Sequence, residues 1–294
     1  MSIYFYKKIK IYFLIKIYKL LYIKNKEKIM QEIIERYNIK AKKSLGQNFL
    51  MDESVLNQIV EITSIQWNNI IEVWPGFWAL TTKILSNKPK TVTLVELDTT
   101  MVDILHDRIQ LGEINIKWIE FEIINQDILK YIPKYTDYKV IANIPYYITS
   151  PILYHFLYEA PYKPLHMIIL MQKEVWERIV SKKSSVLSLF VQKKCTVTEK
   201  IFVPAKYFSP SPKVDSSVLF FEKHEKYNEV NDELFLAFIK AAFSNPRKKI
   251  INNLAQFWYD KDYITLMLDK LDYNQNTRAE ELGIDDFITL IKSI

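Results

Sequence analysis

The stretch that decides the fold runs from Ile70 to Asp98: Ile70-Ile71-Glu72-Val73, a turn at 74–78, a helical run through Thr81–Leu85, then Thr91-Val92-Thr93-Leu94-Val95 closed by Glu96-Leu97-Asp98. Two short apolar runs flanking a helical period are the mark of a strand–helix–strand unit in a parallel sheet. The rhythm continues outward. A helix is expected across 101–109, Ile119–Ile124 leads into Asn125-Gln126-Asp127, and Val140-Ile141-Ala142 leads into Asn143-Ile144-Pro145-Tyr146. Met167–Met171 reads as a further strand and Val175–Val180 as the start of a helix. Phe202–Pro212 reads as a proline-punctuated loop and Ser217–Phe221 as an edge strand. After a charged linker near 222–232 only helical periods remain, with a cap expected at Thr277. The expected organisation is a basic, aromatic segment over 1–30, a doubly wound α/β domain over 31–225 and a small all-helical domain over 226–294.

With 294 residues, 49% of them hydrophobic, the chain can build a full core. A single cysteine, Cys195, excludes an intrachain disulfide framework. The four histidines (His106, His155, His166, His224) lack metal-ligand spacing. A reducing, cytoplasmic setting is expected. The net charge of +6 is concentrated at one end: eight lysines against Glu27 give residues 1–30 a balance of +7, leaving −1 for the rest. Global charge is therefore no argument for nucleic-acid binding. The local clusters Lys40/Lys42/Lys43, Lys182/Lys183, Lys193/Lys194 and Arg247/Lys248/Lys249 are. Residues 1–30 alternate apolar and aromatic residues with lysine and hold no apolar run of the roughly 20 residues a membrane span needs. Met30 is the expected translation start.

In an open α/β sheet, ligands bind outside the carboxyl ends of the strands. The polar strand-end residues are Glu72, Glu96, Asp127 and Asn143. A carboxylate at Glu96 can accept from both hydroxyls of a ribose, and Asp127 can accept from an adenine amine. The Asn143 side-chain oxygen and the Ile144 carbonyl, held ahead of Pro145, can each accept from an exocyclic NH2 while Tyr146 stacks on the ring. A base amine is a poor nucleophile because its lone pair is delocalised. Two acceptors that draw its hydrogens out of plane localise that lone pair for attack.

These motifs together resemble the small-subunit ribosomal RNA adenine dimethyltransferases over essentially residues 31–294. The resemblance rests on Lys42-Lys43-Ser44-Leu45-Gly46-Gln47-Asn48-Phe49-Leu50, on Glu72 through Thr81, on Glu96-Leu97-Asp98 and on Asn143-Ile144-Pro145-Tyr146. It continues through Gln172-Lys173-Glu174-Val175, Phe208 through Ser216, Arg247-Lys248-Lys249 with Asn252-Asn253-Leu254, and Arg278-Ala279-Glu280. It implies a class I, Rossmann-like methyltransferase sheet with a helical rRNA-binding domain. The implied cofactor is S-adenosylmethionine, held by Asn48, Leu50, the 74–78 loop with Trp74 and Gly76, Glu96, Asp127 and Asn143. It further implies two methyl transfers to N6 of each of two adjacent adenines in the 3′-terminal hairpin of small-subunit rRNA. Asn143, Ile144, Pro145, Tyr146 and Phe208 would be catalytic, Tyr146 and Phe208 sandwiching the adenine, with no catalytic metal. Lys42 and Lys43 at the cofactor mouth, and Arg247, Lys248 and Lys249 beginning a helix after Pro246, are the expected RNA contacts. A monomer acting on an assembling small subunit is expected. The alternatives are a non-catalytic assembly factor on the same scaffold and a large-subunit rRNA adenine methyltransferase of macrolide resistance.

Glycine and tryptophan depart from the pattern. Four glycines against six tryptophans inverts ordinary usage, in which glycine is about 7% of residues. Tryptophan stands at 74, and at 78, where the resemblance calls for glycine in a loop that must turn tightly against the cofactor. Trp67 falls where a turn glycine is usual and Trp176 where the family carries a small residue. The preferred explanation is a UGA codon meaning glycine in the source organism but read as tryptophan. An inactive paralogue and a remodelled enzyme are the competing ones. If the tryptophans are genuine, loss of S-adenosylmethionine binding is expected.

Overall fold

The computed structural model describes residues 33, 35–37, 39, 47–76, 78–257 and 259–293, without the Tyr146 side chain. Residues 1–30, Lys42 and Lys43 lie outside the described residues. A short strand β1 (Phe49–Leu50) precedes α1 (Glu53–Glu61), whose first turn is capped by the Asp52 carboxylate accepting from the Val55 N–H. Then follow β2 (Asn69–Val73), α2 (Ala79–Ser86), β3 (Thr91–Glu96), α3 (Thr99–Gln110), β4 (Glu120–Asn125), β5 (Tyr138–Asn143), α4 (Thr149–Tyr154) and β6 (His166–Gln172). The chain continues through α5 (Lys173–Ile179), α6 (Val186–Gln192), β7 (Cys195–Val203), β8 (Phe208–Ser209) and β9 (Ser216–Lys223). The last four helices are α7 (Asp232–Ala242), α8 (Ile250–Ala255), α9 (Lys261–Lys270) and α10 (Ile284–Lys292).

Seven strands form one sheet in the order β4-β3-β2-β5-β6-β9-β7. The first five are parallel, and β9 and β7 each run antiparallel to their neighbours. The period of two along each strand assigns its side chains to two faces. Ile70, Ile141, Ile168 and Leu170 pack in one core with α1, α2 and α3. Ile71, Val73, Val140, Ala142, Ile169 and Met171 pack in the other, which runs without a break into Phe235, Ile239, Leu254 and Phe287 of the last helices. Strands buried on both faces read as continuous apolar runs, which is why the central ones were legible.

Two assignments change. Ser217–Phe221 lies in β9, which is flanked on both sides; the edge belongs to β7, and that strand takes in Phe202 and Val203 of the expected loop. The strand was hidden because Thr196, Thr198, Glu199 and Lys200 are exposed, so it carries little apolar signal. Thr277 is buried and caps nothing; Arg278 precedes a single 3-10 turn, Ala279–Glu281, with the Glu281 carboxylate accepting from the Arg278 N–H.

Candidate functional site

The chain traces β2, β3 and β4 to one side of the sheet and then returns to place β5 on the other side of β2. Ligand crevices open at such reversals, beyond the strand carboxyl ends. Here that point holds an open cleft. Its walls come mainly from four strands and the residues beside them. β1 and its approach supply Gln47, Asn48, Phe49 and Leu50; β2 supplies Glu72 and the turn Trp74-Pro75-Gly76; β3 supplies Glu96; β5 supplies Asn143, Ile144 and Pro145.

Glu72 is fully buried, and its Oε2 has no hydrogen-bond partner. Burial, reinforced by the charge of Glu96 and opposed by the neighbouring Thr81 hydroxyl, raises its carboxyl from 4.5 to about 8. Glu96 is raised to about 7, again chiefly by burial, against the Asp98 N–H that donates to its Oε1 at 2.8 Å. Two buried carboxyls that share one cleft and hold protons near neutrality need a partner to ionise fully. A ligand bearing positive charge and hydroxyl donors provides both. The Asn143 Nδ2 donates to the Asn48 carbonyl at 3.3 Å, which leaves Oδ1 as the acceptor of that amide.

Six of the seven expected cofactor residues line this cleft: Asn48, Leu50, Trp74, Gly76, Glu96 and Asn143. Asp127 is not among its walls; its Oδ1 accepts from the Leu129 N–H at 3.0 Å and caps a 3-10 turn. Ile144 and Pro145 are in the wall beside Asn143. Phe208 is not: its side chain is buried in the core beside Leu50, its register partner. The Tyr146 ring, the other expected partner of the adenine, lies outside the described residues. The Phe208–Ser216 block instead buttresses the cleft. The Met51 N–H donates to the Tyr207 carbonyl, and the Asp215 carboxylate takes the Ala205 N–H at 2.9 Å. Sequence reasoning missed Gln47, Leu56 and Leu80 as wall residues, and the unpartnered Glu72 oxygen, since burial of a strand-end acid depends on what packs over it.

Strain is concentrated in the 74–78 turn. Trp74, Gly76 and Trp78 all have positive φ, at 55°, 51° and 63°. For an L-residue that conformation costs about 1–2 kcal/mol. Trp78 is fully buried with the Arg108 guanidinium 4.7 Å from its ring, and burial of so large a side chain returns about 2–3 kcal/mol. The two magnitudes nearly cancel, so energy alone does not choose the residue at 78. A Cβ added at Gly76 would meet the Phe49 ring at 3.0 Å on a backbone with φ of 51°, so both contact and conformation favour glycine there.

The basic clusters separate into two kinds. Lys193 is buried, and Lys193 and Lys194 both pair with Asp232, at 2.5 and 2.7 Å; they tie α6 to α7. Lys183 pairs with Glu280 at 2.9 Å. Arg247, Lys248 and Lys249 are exposed. They lie in the turn before α8 and do not begin the helix, which starts at Ile250 with Lys249 in the capping position. That turn is held by Asn253, whose buried amide donates to the Ala242 and Asn245 carbonyls at 2.7 and 2.9 Å.

The family model for ribosomal RNA adenine dimethylase matches residues 38–294. The chain belongs to that family. It is 38% identical over 263 residues to a protein of Fusobacterium nucleatum named ribosomal RNA small subunit methyltransferase A, covering 86% of this chain and 97% of that one. The protein of that name from Latilactobacillus sakei is 37% identical over 275 residues, with 88% and 92% covered. Among solved structures, a dimethyladenosine transferase from Plasmodium falciparum superposes with a TM-score of 0.68 at 25% identity, covering 82% of this chain and 95% of that one. The 23S rRNA methyltransferase ErmE shares the fold, with a TM-score of 0.67 at 21% identity over 84% of this chain and 99% of that one. The chain is thus an rRNA adenine dimethyltransferase of the class that uses S-adenosylmethionine. The acceptors in the cleft fit that cofactor, whose amine and sulfonium supply positive charge beside the two buried carboxyls and whose hydroxyls can donate to them.

Proposed function

We propose that this protein dimethylates N6 of two adjacent adenines in the 3′-terminal hairpin of small-subunit rRNA during subunit assembly, in the cytoplasm and as a monomer. The observation that carries the reading is that Asn143, Ile144 and Pro145 line the same cleft as the buried carboxyls Glu72 and Glu96. Glu96, with Asn48 and Leu50 opposite, would hold the cofactor, which supplies an already electrophilic methyl carbon. Asp127, although its Oδ1 caps a 3-10 turn, has a second carboxylate oxygen that would accept from the adenine amine of that cofactor. The Asn143 Oδ1 and the Ile144 carbonyl would accept from the target amine and set its lone pair in line. Such a reaction is mostly alignment, and no general base is needed where the proton departs after attack. The target base must leave its stack to enter the cleft. Residues 226–294 would form the rRNA-binding domain, with Arg247, Lys248 and Lys249 on phosphates and Lys42 and Lys43 near the mouth.

The test is transfer of a radiolabelled methyl group to undermethylated small subunits, run with this chain and with its Trp74→Gly/Trp78→Gly variant. Label in two adjacent small-subunit adenines is expected from the variant. Label confined to large-subunit rRNA, or none from either protein, would overturn the reading. The second outcome would favour a non-catalytic assembly factor, the reading that an indole standing in the cleft wall supports.

A further inference from the structure

Among the described residues, six other than glycine hold positive φ: Trp67, Trp74, Trp78, Lys88, Trp118 and Asp272. Lys88 and Asp272 have an ordinary reason, since each stands just past the end of a helix, α2 and α9, where a left-handed residue is common. The other four are tryptophans, in a chain with six tryptophans among 294 residues. Non-glycine residues adopt positive φ only a few per cent of the time, so four such tryptophans among the five described is a chance event rarer than about one in ten thousand.

The four share no environment. Trp118 is 100% exposed and Trp67 is 73% exposed, whereas Trp78 is wholly buried and Trp74 forms part of the cleft wall. No single role of an indole fits all four, and what they have in common is the backbone. Trp118 is the independent case, because nothing in the sequence pattern had marked it. The chain also holds four glycines where ordinary usage gives roughly 20.

We infer that positions 67, 74, 78 and 118 are glycine sites of this fold, encoded by UGA and read as glycine in the cell the gene came from. One codon with one altered meaning accounts for the missing glycines, the excess of tryptophan and the left-handed backbone at once. Trp176 does not join them. It sits within α5, a regular helix that admits any residue, so its backbone carries no such signal. For the cleft, glycine at 74 removes an indole from the wall. The inference does not rest on the proposed reaction.

Peptide mapping by mass spectrometry of the protein purified from its source cells reads each position separately. Glycine is expected at all four, and tryptophan at any of them overturns the inference for that position. A second measurement uses the chain as written. At the exposed positions 67 and 118, Trp→Gly is compared with Trp→Ala, which keeps the Cβ and loses the indole alike. The glycine variant is expected to melt above the alanine variant at both, and below it at helical position 176. Alanine melting as high as glycine at 67 and 118 would show that the backbone there does not select glycine.

Discussion

The Asn143 side chain donates to the Asn48 carbonyl across 3.3 Å, joining the end of β5 to the approach of β1. Residues 95 positions apart thereby close one corner of the cleft, and the amide oxygen of Asn143 is oriented by the bond its nitrogen makes. Asn143→Ala removes both the tether and the acceptor. Single-turnover methyl transfer is expected to fall by about 10²-fold, the size of effect that loss of alignment produces. The melting temperature should change little, since Asn143 is only half-buried.

Glu72 and Glu96 bind protons more tightly in the fold than in the unfolded chain, with carboxyls raised from 4.5 to about 8 and about 7. Between those values the native state holds more protons than the unfolded one, so stability is full at low pH and is lost as pH rises from about 4.5 through about 8. The steepest contribution is about 1.4 kcal/mol per pH unit for each carboxyl. Urea unfolding of the ligand-free protein should show this decline, and Glu72→Gln should flatten its upper part. A wild-type profile flat across that range would contradict the burial argument.

Asn253 satisfies two carbonyls of the 242–245 segment from a fully buried position. Asn253→Ala leaves both acceptors unpaired, at a cost of about 2–4 kcal/mol. Chemical denaturation should show a lowered midpoint with an unchanged slope.

Arg247, Lys248 and Lys249 are exposed on the turn that Asn253 secures. Replacing all three with alanine should weaken RNA binding and reduce the slope of log K against log salt by about 0.7–0.9 for each phosphate that is no longer neutralised. An unchanged slope in a filter-binding titration would remove this turn from the RNA surface.

Gly76→Ala places a Cβ 3.0 Å from the Phe49 ring on a backbone with φ of 51°. The left-handed backbone alone costs about 1–2 kcal/mol. Phe49 belongs to the cleft wall, so its displacement should weaken S-adenosylmethionine binding as well as lower the melting temperature. Calorimetry and thermal unfolding of the same sample read both.

The parallel strands, the two-layered packing and the helical tail were legible in the sequence because central strands buried on both faces leave unbroken apolar runs, as at Ile70–Val73 and Val140–Ala142. The strand-end placement of Glu72, Glu96 and Asn143 followed from the same runs, since a strand's end is a local property. Three matters were decided only by tertiary structure. The edge strand Cys195–Val203 is defined by its partner β9, not by its own half-exposed residues. Phe208 turned inward and Lys193 became a buried tie to Asp232, because the direction of a side chain depends on what packs across from it. The left-handed backbone at Trp118 was likewise invisible in one dimension, as φ at a turn is set by the elements the turn must join, whatever residue occupies it.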